Sequence, residues 1–103
     1  MIYHINSVEE YNEITKEGKY LVDFFATWCG PCKMLTPVLE NIDSTNAIGD
    51  VKILKIDVDD LPTLAMKYGI QSIPTLLYIV NGEVKNKTLG YQSKEKIISF
   101  VAK

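Results

Sequence analysis

Arginine is absent: the 11 basic residues are all lysine, set against 13 acidic ones for a net charge of −2. Without a basic excess or the bidentate guanidinium fork, the chain lacks the electrostatic footprint of a nucleic-acid partner. Glycine is sparse, 6 in 103 residues, and no run of it has the form of a P-loop or a dinucleotide fingerprint. Nucleotide chemistry built on those motifs is thereby excluded. No apolar stretch reaches the roughly 18 residues that span a bilayer, and Met1 to Asn6 carry no basic stretch leading into an apolar run. The expectations are no membrane association and a cytoplasmic address. With 2 cysteines and 1 histidine, His4, a closed four-ligand zinc site would have to borrow carboxylates, and an iron–sulfur cluster lacks two ligands outright. No metal and no resident cofactor are expected.

What remains is ordinary globular composition: 47% hydrophobic, 23% charged and 10% aromatic residues. Such a chain folds on its own, and 103 residues suit one domain spanning 1–103. A core of this size leaves little room for an internal cofactor cavity, so the chemistry is expected at the surface.

Ser7-Val8-Glu9-Glu10 has the S-x-x-E form of a capping box, and Val8, Tyr11 and Ile14 share one face of the helix it starts, which ends near Gly18. Tyr20 to Ala26 is a nearly continuous apolar run, the pattern of a strand buried on both faces, interrupted by a single charge, Asp23. From Cys32 to Asp43, Leu35, Val38, Leu39 and Ile42 recur at helical spacing, with Pro37 marking a kink. Val51 to Asp57 alternates apolar residues with lysine, predicting a strand with one more polar face. The run Asp57 to Asp60 then reads as solvated loop, with Asp60 capping a short helix over Leu61 to Tyr68 that Gly69 stops. Thr75 to Val80 and Glu83 to Leu89 flank Asn81-Gly82, the strongest short hairpin signal, and Ser93 caps a last helix bearing Ile97, Ile98 and Val101. A short strand at Ile2 to Ile5 completes the set. Alternating helices and strands ending in a hairpin predict an α/β fold, a mixed sheet of about five strands flanked by four helices on both faces.

The two cysteines form Cys29-Gly30-Pro31-Cys32, where the central strand gives way to the second helix. As a staple the pair is poor, since closing so short a loop yields only roughly 2 kcal/mol. As a redox pair it is well placed. A thiolate at a helix N-terminus faces unpaired N–H groups and the positive end of the dipole, which lower its pKa and make Cys29 a nucleophile near neutral pH. Cys32, one turn inside, is positioned to resolve. Metal binding and a pair of inert core cysteines are the rival readings; the first lacks ligands, and the second leaves Gly-Pro at the turn unexplained.

Trp28-Cys29-Gly30-Pro31-Cys32-Lys33, together with Asp23, Pro37, Lys55, Ile73-Pro74-Thr75, Gly82 and Gly90, resembles the thioredoxin family over nearly the whole chain. The resemblance implies the thioredoxin fold and a general protein dithiol–disulfide oxidoreductase. In it Cys29 attacks a substrate disulfide, a mixed disulfide forms, and Cys32 releases the reduced substrate. It further implies that Asp23 is a buried acid exchanging a proton with Cys32, and that Lys55 is its neighbour on the adjacent strand. From the residues alone, Lys55 fits a solvated strand position equally well. Trp28, Gly30, Pro31, Ile73, Pro74 and Gly90 resemble the surface that receives the substrate chain, with the Ile73-Pro74 bond expected to be cis. The implied partners are a flavin- and nicotinamide-dependent reductase, thioredoxin reductase, as electron donor and disulfide-containing client proteins as acceptors, with the chain acting as a monomer.

Two residues depart from the family pattern. Phe25 stands where many members carry a second tryptophan, and Gln71 where a basic residue often precedes Ser-Ile-Pro-Thr. Both bear on partner choice, not on the reaction. Pro31 resembles the reducing members, where the isomerases commonly carry histidine. The alternative from another class is a scaffold of the same fold whose dithiol is incidental to assembly; reduction of an insulin-type disulfide separates the two.

Overall fold

The computed structural model describes residues 1–102. In chain order its elements are β1 (Ile2–His4), α1 (Val8–Thr15), β2 (Lys19–Phe25), α2 (Gly30–Ser44), β3 (Lys52–Asp57), α3 (Pro62–Lys67), β4 (Thr75–Val80), β5 (Glu83–Leu89) and α4 (Lys94–Phe100). The strands form one mixed sheet in the order β1-β3-β2-β4-β5. β3 runs parallel to both β1 and β2, as helical crossovers require, while β4 is antiparallel to β2 and β5. The apolar run of β2 therefore occupies the middle of the sheet, where a strand covered on both faces belongs.

Alternation along the strands sends side chains to two separate cores. Leu21, Ile53, Leu76 and Tyr78 meet Leu35, Leu39 and Ile42 of α2 and Ile97 and Phe100 of α4 on one face. Val22, Phe24, Leu54, Ile56, Leu77 and Ile79 meet Tyr11 of α1 and Leu64 of α3 on the other. There the Tyr11 and Tyr68 hydroxyls share a 2.8 Å hydrogen bond, and burial pushes the Tyr11 phenol well above its ordinary pKa. Asp23 and Lys55 are direct partners in the parallel β2–β3 register and share the α2 side with Leu21 and Ile53.

The caps on α1 and α4 are as the sequence predicts: Ser7 Oγ accepts from Glu10 N–H at 3.0 Å and Ser93 Oγ from Lys96 N–H at 3.3 Å. Three features differ. α2 begins at Gly30, not Cys32, because Cys29 itself occupies the cap position and Pro31 suits the first turn. α3 is capped by Leu61 with no side-chain hydrogen bond, so Asp60 does not cap it. β3 has no polar face: Lys52 and Lys55 are three apart and lie on opposite sides, and Lys55 is buried. At the hairpin, Asn81 sits at φ 50° and Gly82 at φ 83°, the left-handed pair that Asn-Gly favours.

Candidate active site

The end of β2 and the start of α2 meet at Cys29. Its backbone is extended, φ −87° and ψ 116°, and its Sγ accepts a hydrogen bond from Cys32 N–H at 3.2 Å. The nucleophile predicted from the sequence is thus the cap of its own helix, aimed at a donor that one turn of helix leaves without an intrahelical partner. Cys29 and Cys32 are joined as a disulfide, Cα atoms 5.2 Å apart, so the structure is the oxidised form. Both residues are buried, packed with Ala26 and flanked by Phe25, Val58 and Ile73.

A second segment closes over the pair. The Ile73–Pro74 peptide is cis, as expected from the resemblance, and the Ile73 carbonyl oxygen lies 3.7 Å from Cys29 Sγ. Gly90 N–H donates to the Pro74 carbonyl at 2.8 Å, bringing the end of β5 beside the start of β4. Gly90 holds φ 83°, a left-handed conformation that residues with a Cβ adopt only under strain. Cys29, Gly30, Pro31, Ile73, Pro74 and Gly90 accordingly converge on one end of the sheet.

Trp28 joins them as an exposed indole, 69% accessible. Its Nε1–H donates to Asp59 Oδ2 at 2.9 Å. The acidic stretch after β3 is therefore more than solvated loop, since Asp59 anchors Trp28. Asp59 N–H in turn donates to Asp57 Oδ1 at 2.9 Å.

On the α2 side of the sheet lies a charged pair. Asp23 is wholly buried and neither carboxyl oxygen has a hydrogen-bond partner among the described residues. Burial raises its pKa to about 6, against a smaller downward pull from the Lys55 ammonium. Lys55 Nζ stands 3.7 Å from Asp23 Oδ2, an ion pair by distance but beyond hydrogen-bond reach. The same ammonium donates to Thr36 Oγ1 at 3.3 Å and lies 4.5 Å from the centroid of the Phe25 ring. Thr36 Oγ1 then donates to the Cys32 carbonyl at 3.2 Å. The charged pair is thereby linked to the helix that carries both cysteines.

Every candidate named from the sequence lies in this region, and two residues were not foreseen. Asp59 carried a signal only as one acid among several. Thr36 sits four residues after Cys32, a spacing that permits a bond back to the Cys32 carbonyl, but nothing local announces Lys55.

Residues 3–103 match the family model described as thioredoxin. Thioredoxin of Bacillus subtilis is 48% identical over 96 residues, covering 92% of this chain and 90% of that protein. Thioredoxin of Chlamydia caviae is 42% identical over 95 residues, covering 92% and 91%. Among solved structures, thioredoxin of Malassezia sympodialis superimposes with a TM-score of 0.90 at 33% identity, covering 99% of this chain and 89% of that one. Thioredoxin from Nicotiana alata gives 0.87 at 31% identity, covering 98% and 90%. Likeness of this extent, on a five-stranded sheet with a cysteine pair capping α2, establishes that the chain belongs to the thioredoxin family and is a dithiol–disulfide oxidoreductase.

Proposed function

We propose that Cys29 is the attacking thiol and Cys32 the resolving one in the reduction of protein disulfides. The observation that carries the assignment is the Cys32 N–H to Cys29 Sγ hydrogen bond, which with the helix dipole stabilises negative charge on Cys29 Sγ. In the dithiol form, Cys29 thiolate attacks one sulfur of the client disulfide and displaces the other as thiolate. Cys32 then loses its proton to the Asp23 carboxylate and attacks Cys29 Sγ. The second client sulfur leaves, and the Cys29–Cys32 disulfide remains. Two electrons have passed to the client. An acid whose pKa lies at about 6 is largely ionised at neutral pH yet basic enough to take that proton, which suits Asp23 to the step.

The surface of Trp28, Gly30, Pro31, Ile73, Pro74 and Gly90 receives the client chain, packing it against the indole while the backbone beside Pro74 offers polar groups to an extended strand. Thioredoxin reductase returns the electrons, and the chain works as a monomer in the cytoplasm. In the mutant test, Cys29→Ser abolishes turnover without accumulating adduct, while Cys32→Ser attacks and stalls as a covalent mixed disulfide with the client. Mass spectrometry after exposure to a disulfide-bonded protein reads both, and an adduct on Cys29→Ser in place of Cys32→Ser reverses the roles.

A further inference from the structure

A buried carboxylate beside an ammonium with donors to spare is expected to close to hydrogen-bond contact, because an unpaired buried oxygen is costly. Here the gap stays at 3.7 Å and, among the described residues, neither Asp23 oxygen has a donor. What competes for the ammonium is visible. Thr36 Oγ1 accepts from it at 3.3 Å, and the Phe25 ring lies beneath it at 4.5 Å. A helical threonine often bonds the carbonyl four residues back, which accounts for Thr36 and Cys32 but not for a lysine reaching the same oxygen from β3. A hydroxyl can accept from the ammonium and donate to the carbonyl through one atom, and no apolar side chain of that shape can.

We propose that Thr36 is a positioning residue for disulfide exchange, its hydroxyl anchoring the Lys55 ammonium to α2 and so setting the separation, and hence the strength, of the Asp23–Lys55 pair. The proposal deepens the proton-transfer reading of Asp23. Among the described residues, the elements packed against that carboxyl present these groups. From β3 there is Lys55 itself; Asp57 directs Oδ1 to the Asp59 amide; from α2 there is Cys32, held in the disulfide; and β4 presents the apolar Leu76 at the paired position. His4 of β1 contacts the Phe25 ring edge-on at a 6.4 Å centroid distance.

Thr36→Val keeps the branched shape and removes the hydroxyl, leaving Asp23 as the acceptor nearest the ammonium. Closing the gap from 3.7 Å to about 2.8 Å, at an effective dielectric of about 20, lowers the Asp23 pKa by about one unit, a tenfold change in proton affinity. Thr36→Ser keeps the hydroxyl and retains the wild-type value. The measurement is the carbon-13 shift of the Asp23 carboxyl against pH, in the disulfide form of wild type and both variants. A Thr36→Val titration that coincides with wild type or moves upward, or a Thr36→Ser titration that follows Thr36→Val, overturns the proposal.

The pH profile of mixed-disulfide resolution by Cys32, measured in turnover that starts from the reduced protein, is the second readout and shifts in the same direction for Thr36→Val alone. Asp23→Asn serves as its control. If that variant retains the wild-type profile, the proton-transfer reading of Asp23 falls, while the carboxyl titration still decides what Thr36 does.

Discussion

Replacing Asp23 by asparagine tests its burial through stability instead of rate. The folded pKa of about 6 stands above the ordinary value of 3.8 because burial outweighs the attraction of Lys55. At about 1.4 kcal/mol per unit, ionised Asp23 destabilises the fold by about 3 kcal/mol relative to its protonated form. The sign follows from proton binding. Between pH 3.8 and about 6 the folded chain holds a proton that the unfolded chain has lost. Stability from the neutral carboxyl is therefore full below the unfolded pKa and disappears as pH rises through the folded one. Asparagine has the shape of the protonated acid and does not titrate. The stability of Asp23→Asn minus that of wild type should thus increase by about 3 kcal/mol from acid to neutral pH and level off above pH 7. Urea unfolding followed by circular dichroism gives this difference at each pH, using the oxidised forms so that neither cysteine titrates. Two stability curves that run parallel from pH 3 to 8, or a mutant-minus-wild-type difference that falls as pH rises, refute the argument.

Two further outcomes follow from the rim of the site. Asp59→Ala removes the acceptor that holds the Trp28 indole; emission from this single tryptophan should shift and the KM for a protein client rise several-fold with kcat little changed, whereas an unchanged KM would detach Trp28 orientation from client binding. Gly90→Ala places a Cβ in open space but at φ 83°, so strain alone should lower stability by about 1 kcal/mol, and a denaturation midpoint equal to wild type would contradict that backbone assignment.

Much of this was legible in the sequence because it is local. The apolar run around Asp23 marks a strand covered on both sides, Asn81-Gly82 marks the turn between β4 and β5, and two cysteines astride Gly-Pro mark a helix start. The misreadings share a cause in tertiary placement. The lysines of Val51 to Asp57 suggest a polar face, but Lys52 and Lys55 fall on opposite sides of β3, and only the covering α2 decides that the Lys55 side chain is buried. Asp60 is a good capping residue in the abstract, but the chain enters α3 one residue later, at Leu61. Thr36 and Asp59 become functional through partners 19 and 31 residues away in sequence, Lys55 and Trp28 respectively, and periodicity carries no information over such separations.

The cap on α2 also limits the chemistry it enables. Of the amides at the first turn of the helix, Gly30 precedes Pro31, which has no N–H, so the donor left to Cys29 Sγ is that of Cys32. Each added donor would make the thiolate more abundant and a better leaving group, but it would also stabilise the dithiol state against its disulfide. A protein that holds its reduced state too comfortably becomes an oxidant. Pro31, by contributing no N–H, limits how far the helix start can stabilise charge at Cys29 Sγ, and with it the preference for the dithiol over the disulfide.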